Sequence, residues 1–187
     1  HISTDYVYNG INKSAISENE HVNPQNYYGI SKLNGEKHIE NSISESIVIR
    51  TSWLYSSFGK NFVKTIIEKS KSKDLLKIVG DQYGCPTNAY DLANAIMQII
   101  KSKDRFDKES KIYNFSNLGY TSWFEFAKVI LKEINIKCHL EEIKTNEISQ
   151  LSKRPKFAIT NKTKIISAFN LKIPDWKESL VKFLKNI

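Results

Sequence analysis

The 187 residues carry 28 Lys+Arg against 20 Asp+Glu, a formal net charge of +8, and 40% are hydrophobic, including 9 Phe, 9 Tyr and 3 Trp. Apolar positions recur along the whole chain, which supplies a core and argues against a disordered polyelectrolyte. The basic surplus is mostly scattered lysine, without an arginine cluster or a recognition motif, so no nucleic-acid partner is expected.

No apolar run approaches the roughly 18 residues of a membrane span, and the opening His-Ile-Ser-Thr-Asp lacks the basic and apolar regions of a signal peptide. No membrane partner is expected. Cys85 and Cys138 are far apart and outside any CxxC spacing, which predicts free thiols in a reducing, cytoplasmic setting. The histidines at 1, 21, 38 and 139 make no metal-ligand spacing.

His1–Thr4 reads as the end of a buried strand running into the turn-like Tyr8-Asn9-Gly10. A polar loop follows from Ile11 to Val22. Asn23-Pro24 then predicts an N-cap with proline at the first helical position, opening a helix to about Asn41 with Leu33 and Ile39 buried. Ile47-Val48-Ile49 is the short continuous apolar run of a strand covered on both faces. Asn61–Ser70 is amphipathic, with Phe62, Val63, Ile66 and Ile67 on one face.

Leu75–Val79 predicts another strand, and Ala89–Ile100 a helix with Leu92, Ile96 and Ile99 at helical spacing. Ile112–Phe115 is strand-like. Ser122 and Glu125 form a capping-box pattern before a helix to about Asn135. A weak strand is expected near Cys138–Ile143, a polar loop through Arg154-Pro155, and a short helix over Thr163–Phe169. Pro174 opens a last helix with Trp176, Leu180, Phe183 and Leu184 as its stripe.

Strands alternating with helices of this length predict an α/β fold: a partial Rossmann-type parallel sheet with a smaller C-terminal substrate-binding lobe. Residues 1–80 are expected to carry the catalytic portion. Residues 81–187 mainly form the lobe, with elements returning to the core.

Tyr28 and Lys32 lie four residues apart on one face of the predicted helix. A phenol is normally a poor proton donor near neutrality, and an ammonium beside it favours the phenolate and makes proton exchange easier. Taken alone, such a pair in a lysine-rich chain is mostly coincidence. Thr4 ends a predicted buried strand, the place where open α/β sheets hold ligands. Its hydroxyl is suited to the oxygen that Tyr28 would protonate.

The runs Ser3-Thr4-Asp5-Tyr6-Val7-Tyr8-Asn9-Gly10, Asn23-Pro24-Gln25-Asn26-Tyr27-Tyr28-Gly29-Ile30-Ser31-Lys32-Leu33-Asn34-Gly35-Glu36 and Arg50-Thr51-Ser52-Trp53-Leu54-Tyr55 occur in that order. Gly59-Lys60-Asn61-Phe62-Val63-Lys64-Thr65, Asp81-Gln82-Tyr83-Gly84-Cys85-Pro86-Thr87 and a late Arg154-Pro155 follow. Together they resemble the dTDP-4-dehydrorhamnose reductases, within the extended short-chain dehydrogenase/reductase class. The likeness covers nearly the whole chain and is strongest over its first half.

The resemblance implies that Thr4, Tyr28 and Lys32 are the catalytic trio. Tyr28 would donate the proton, Thr4 orient the carbonyl, and Lys32 bind the nicotinamide ribose. Thr51 and Ser52 would approach the nicotinamide. Asp5, Tyr6, Trp53, Asn61 and Arg154 are implied on the substrate side, Arg154 at a pyrophosphate that guanidinium holds with parallel hydrogen bonds. The implied reaction is reduction of the C4 ketone of a dTDP-sugar with NADPH or NADH. The family also uses Mg2+, for which these residues assign no site, and a homodimer stays open.

No GxGxxG or GxxGxxG is present among the glycines at 10, 29, 35, 59, 80, 84 and 119, so the main cofactor cradle is absent from this chain. The chain by itself is therefore expected to bind cofactor weakly and to be inactive. Its strand Ile47–Ile49 is expected to lack neighbours on one side. Another nucleotide-sugar reductase or epimerase, or a non-catalytic reductase-like regulatory subunit, remain as alternatives.

Overall fold

The computed structural model describes residues 1–11, 13–42, 45–102, 111–148 and 154–187. In chain order its elements are β1 (Ile2–Thr4), α1 (Tyr27–Ser42), β2 (Val48–Thr51), β3 (Leu54–Tyr55), α2 (Phe62–Ser70), β4 (Leu75–Val79), β5 (Tyr83–Gly84) and β6 (Thr87–Asn88). They continue with α3 (Ala89–Lys101), β7 (Ile112–Asn114), β8 (Thr121–Ser122), α4 (Trp123–Glu133), β9 (His139–Ile143), β10 (Phe157–Ala158), α5 (Thr163–Phe169) and α6 (Trp176–Leu184).

The expected α/β architecture is present. All four residues of β2 are buried, as a strand covered on both faces requires. It pairs in parallel with β1 (Ile2 opposite Ile49) and with β7 (Ile49 opposite Tyr113). This corrects the expectation that the Ile47–Ile49 strand lacks a neighbour on one side. It is the middle strand, because β7 arrives from much later in the chain. Among the described residues β1 and β7 are the two edges of this sheet, each with β2 as its one partner.

Ile49, Tyr113 and Phe115 share a core with Leu92, Ala95 and Ile99 of α3 and Ile165 and Phe169 of α5. On the other side α1 packs against β1 and the turn that follows it. The lobe has its own core, in which Val63 and Ile66 of α2 meet Phe126 and Ile130 of α4 and Leu180 of α6. Parallel β4 and β9 lie beside these helices, and β5 sits between β8 and β10. Asn61, Ser122 and Asp175 cap α2, α4 and α6 through side-chain oxygens.

The first helix departs from its predicted start. It begins at Tyr27 rather than at Pro24, because Asn23 N–H bonds the Val7 carbonyl at 2.8 Å and docks that segment on the turn. The Asn26 carboxamide oxygen accepts from Gly29 N–H at 2.8 Å and takes the capping role. Leu33 and Ile39 are half-buried, and the fully buried residues of α1 are Gly29 and Glu36. The last helix likewise starts after Asp175 rather than at Pro174.

Candidate active site

Thr4 ends β1 and caps the single turn Asp5–Val7, its hydroxyl accepting from Tyr6 N–H at 3.3 Å. The same hydroxyl donates to Asp5 Oδ1 at 3.1 Å. The turn therefore sets three consecutive polar side chains at the end of the strand, where the backbone ladder stops and side chains meet a ligand.

The first turn of α1 lies directly against this loop. A Cβ on Gly29 would come within 2.4 Å of the Tyr6 carbonyl oxygen and 2.9 Å of Pro24 Cβ. Only glycine permits that approach, and it brings Tyr28 edge-on to Tyr6, with ring centroids 5.6 Å apart. Tyr28 is 52% exposed, open to solvent on one side. Lys32, one turn on, faces the same cleft.

Thr51, Ser52 and Trp53 leave β2 and are braced from behind by the loop 82–87. Ser52 Oγ donates to the Cys85 carbonyl at 2.7 Å, and Thr51 Oγ1 donates to Thr87 Oγ1 at 3.3 Å. Their hydroxyl protons are thus used internally, leaving lone pairs for a ligand. Trp53 has φ 45°, a left-handed backbone that bulky residues rarely adopt. Its ring fills the space that a side chain on Gly84 would need, and it stacks on Trp123 with centroids 3.4 Å apart and planes 7° from parallel.

These segments line one cleft of about 1000 Å³ between the sheet and the lobe. Nine of the ten residues singled out from the sequence line it: Thr4, Asp5, Tyr6, Tyr28, Lys32, Thr51, Ser52, Trp53 and Arg154. Asn61 does not. Its carboxamide caps α2, with Oδ1 accepting from Lys64 N–H at 3.1 Å and Nδ2 donating to the Ser56 carbonyl at 2.7 Å. Sequence reasoning passed over Trp123, Phe62, Gln82, Lys69 and Lys77, which also line the cleft. The signal for Trp123 was its place at the head of the Phe126–Ile130 stripe of α4, which carries that stripe out of the core and into the cleft.

The cleft is electropositive. Among the described residues Lys32, Lys69, Lys77 and Arg154 face it with a single carboxyl, Asp5, although Lys77 is also within 3.2 Å of Glu141. Burial pushes Asp5 up from the usual carboxylate range to about 7, and the Thr4 hydroxyl, the turn's backbone N–H groups and the Arg154 charge offset this incompletely. Asp5 is 2% exposed, and its Oδ2 has no hydrogen-bond partner among the described residues. Burial also raises the Tyr6 phenol, against the pull of Arg154. No group of three or more metal-ligating side chains occurs among the described residues, and none of the described helices is long and apolar enough to cross a membrane.

The family model described as the RmlD substrate binding domain matches residues 1–187. The spore coat polysaccharide biosynthesis protein SpsK of Bacillus subtilis is 35% identical over 99% of this chain and 63% of its own length. The dTDP-4-dehydrorhamnose reductase of Aggregatibacter actinomycetemcomitans is 36% identical over 96% of this chain and 64% of its own. Among solved structures, the dTDP-4-dehydrorhamnose reductase of Bacillus anthracis in complex with NADP superposes with a TM-score of 0.93 at 35% identity, covering all of this chain and 65% of that one. The chain thus spans slightly under two thirds of the length of these relatives.

Proposed function

Because this chain belongs to the RmlD substrate binding domain family, we propose that it forms the catalytic and sugar-nucleotide side of an NAD(P)H-dependent reductase. The substrate is dTDP-4-dehydro-L-rhamnose and the product dTDP-L-rhamnose. The observation that carries this proposal is the convergence of Thr4, Tyr28, Lys32 and Trp53, from three separate segments, on one electropositive cleft.

A bound nicotinamide dinucleotide supplies the hydride. The sheet side of the cleft suits its nicotinamide half: Lys32 offers an ammonium to ribose hydroxyls, and Thr51 and Ser52 offer lone pairs to a carboxamide. Thr4 holds the C4 carbonyl oxygen. Tyr28 gives its phenolic proton to that oxygen as charge develops there, and its exposed side lets the proton return from solvent.

On the lobe side, the flat faces of Trp53 and Trp123 present apolar surface to sugar or base. Arg154, with Lys69 near the rim, opposes the diphosphate charge. The division near residue 80, with catalytic groups before it and lobe elements mainly after it, belongs to the same proposal.

Tyr28→Phe is the direct test. It removes one oxygen from a half-exposed side chain, so the fold and ligand binding are expected to persist while turnover falls by at least about 100-fold. Steady-state NADPH oxidation on dTDP-4-dehydrorhamnose, in the protein at its native full length, measures it. Near-normal turnover removes Tyr28 from the role of proton donor.

A further inference from the structure

A hydroxyl has one proton to give and two lone pairs to receive with. Thr4 Oγ1 already receives Tyr6 N–H, and its one proton goes to Asp5 Oδ1. In that arrangement the face of Thr4 left for the cleft is a lone pair, which repels a carbonyl oxygen instead of binding it. The carboxyl is also badly placed to carry charge: it is buried, and its second oxygen is without a partner among the described residues.

We infer that Asp5 works as a neutral acid that reverses the polarity of Thr4. Its carboxyl proton is donated to Thr4 Oγ1, and the proton of Thr4 is thereby freed for the substrate's carbonyl oxygen. No bond to carbon is made or broken in this step. Two hydrogen bonds reverse direction, and every donor and acceptor on Thr4 is then used. Asp5 is a positioning residue acting through Thr4, and the inference rests on the reductase reading for the identity of the oxygen that Thr4 holds.

The charged and titratable groups around Asp5 are Arg154 across the cleft, Tyr6 in the same turn, and Tyr28 and Lys32 on the helix packed against that turn. Arg154 favours ionisation. Burial opposes it and prevails, so that the carboxyl is half protonated near pH 7 and keeps its proton below that. Ionisation above that value returns Thr4 to the unproductive orientation.

Infrared difference spectroscopy of the protein between about pH 5 and about pH 9, with Asp5→Asn to assign the band, tests the protonation directly. The expected result is a protonated carboxyl C=O band that persists at neutral pH and shifts in Thr4→Val, where its hydrogen-bond partner is gone. A carboxyl already ionised at pH 6, or a band indifferent to Thr4→Val, overturns the inference whatever the enzyme's activity. In the kinetic arm, kcat is expected to fall about tenfold per pH unit above the Asp5 titration. In Asp5→Asn, whose amide can donate to Thr4 at every pH, the fall should begin at least about one unit higher, at a lower plateau. An unmoved alkaline limb also overturns it. Absence of reductase turnover at every pH in the otherwise unmodified protein at its native full length instead defeats the reductase reading, and the infrared result still decides the Asp5–Thr4 pair.

Discussion

Arg50, in the middle strand of the sheet, forms a two-pronged ion pair with Glu36 of α1, Nη2 to Oε2 at 2.6 Å and Nε to Oε1 at 3.0 Å, with both side chains about 97% buried. Ser3 of β1 donates to the same carboxylate, and Arg50 also donates to Tyr8, which donates to Asn114 of β7. All three strands of the sheet and the helix bearing Tyr28 and Lys32 are therefore tied to one guanidinium. Burial works against its charge, but the hydrogen bonds and charge of Glu36 and Tyr8 outweigh that and hold the guanidinium pKa above its ordinary value.

Breaking this pair from one side leaves a charge buried without a partner. Glu36→Ala is expected to cost about 3–5 kcal/mol, whereas replacing both Glu36 and Arg50 by apolar residues of similar volume should cost much less than the two single changes together. Urea unfolding of the two single variants and the double one checks this. Additive losses would mean that the two residues are not energetically coupled.

Gly84 is the floor beneath Trp53. A methyl there would lie 2.4 Å from Cε2 and 2.5 Å from Nε1 of the indole, and the ring cannot retreat because Trp123 is stacked on it. Gly84→Ala should therefore cost about 1–3 kcal/mol from overpacking. It should also change the tryptophan fluorescence and weaken dTDP-sugar binding while leaving the secondary structure unchanged by circular dichroism. Unaltered fluorescence and affinity would show that the Trp53–Trp123 platform does not depend on this close approach.

The elements that hydrophobic period and cap chemistry define were legible in the sequence. Leu75–Val79 and Thr163–Phe169 fall on their predicted bounds, and Ser122 caps its helix by accepting from Glu125 N–H, as the capping pattern suggests. What escaped was set by partners distant in the chain. Nothing local announces that Arg50, next to an apolar run, turns inward to Glu36, or that β7 will close the far side of β2. The start of α1 moved because Val7 claims the N–H of Asn23. The cleft was half visible: its sheet side lies in contiguous motifs, while Trp123, Lys69 and Lys77 enter it from the lobe, where the chain pattern speaks only of helix and strand.

Arg154 is exposed at the rim, yet its charge reaches both Asp5 and Tyr6. If it holds the diphosphate, Arg154→Ala should weaken dTDP-sugar affinity by about 2 kcal/mol, roughly 30-fold, with little effect on unfolding. The same change removes a cation that favours ionised Asp5, so the Asp5 titration should move further upward. Calorimetric binding of dTDP in buffers of increasing salt reads the first effect. An affinity unchanged from the unmodified protein would place the diphosphate elsewhere in the cleft.

Asp5 makes the stability of the fold depend on pH in the direction opposite to most carboxylates. Its folded-state pKa is about 7 against an ordinary 3.8, so between these values the folded chain holds a proton that the unfolded chain has released. The contribution of that proton is complete below about pH 4 and is lost as pH rises through about 7, with a span of about 4 kcal/mol. Asn at this position cannot ionise. The stability of Asp5→Asn relative to the unmodified protein should therefore climb steadily over that window and level off above it, since there the unmodified protein must bury a carboxylate whose Oδ2 has no partner among the described residues. Urea unfolding of both proteins at about pH 4, 6 and 8 measures the difference with other titrating groups held in common. Two stability curves that stay parallel across the window would mean that Asp5 titrates as an ordinary carboxylate, solvated by a route that its 2% exposure does not reveal.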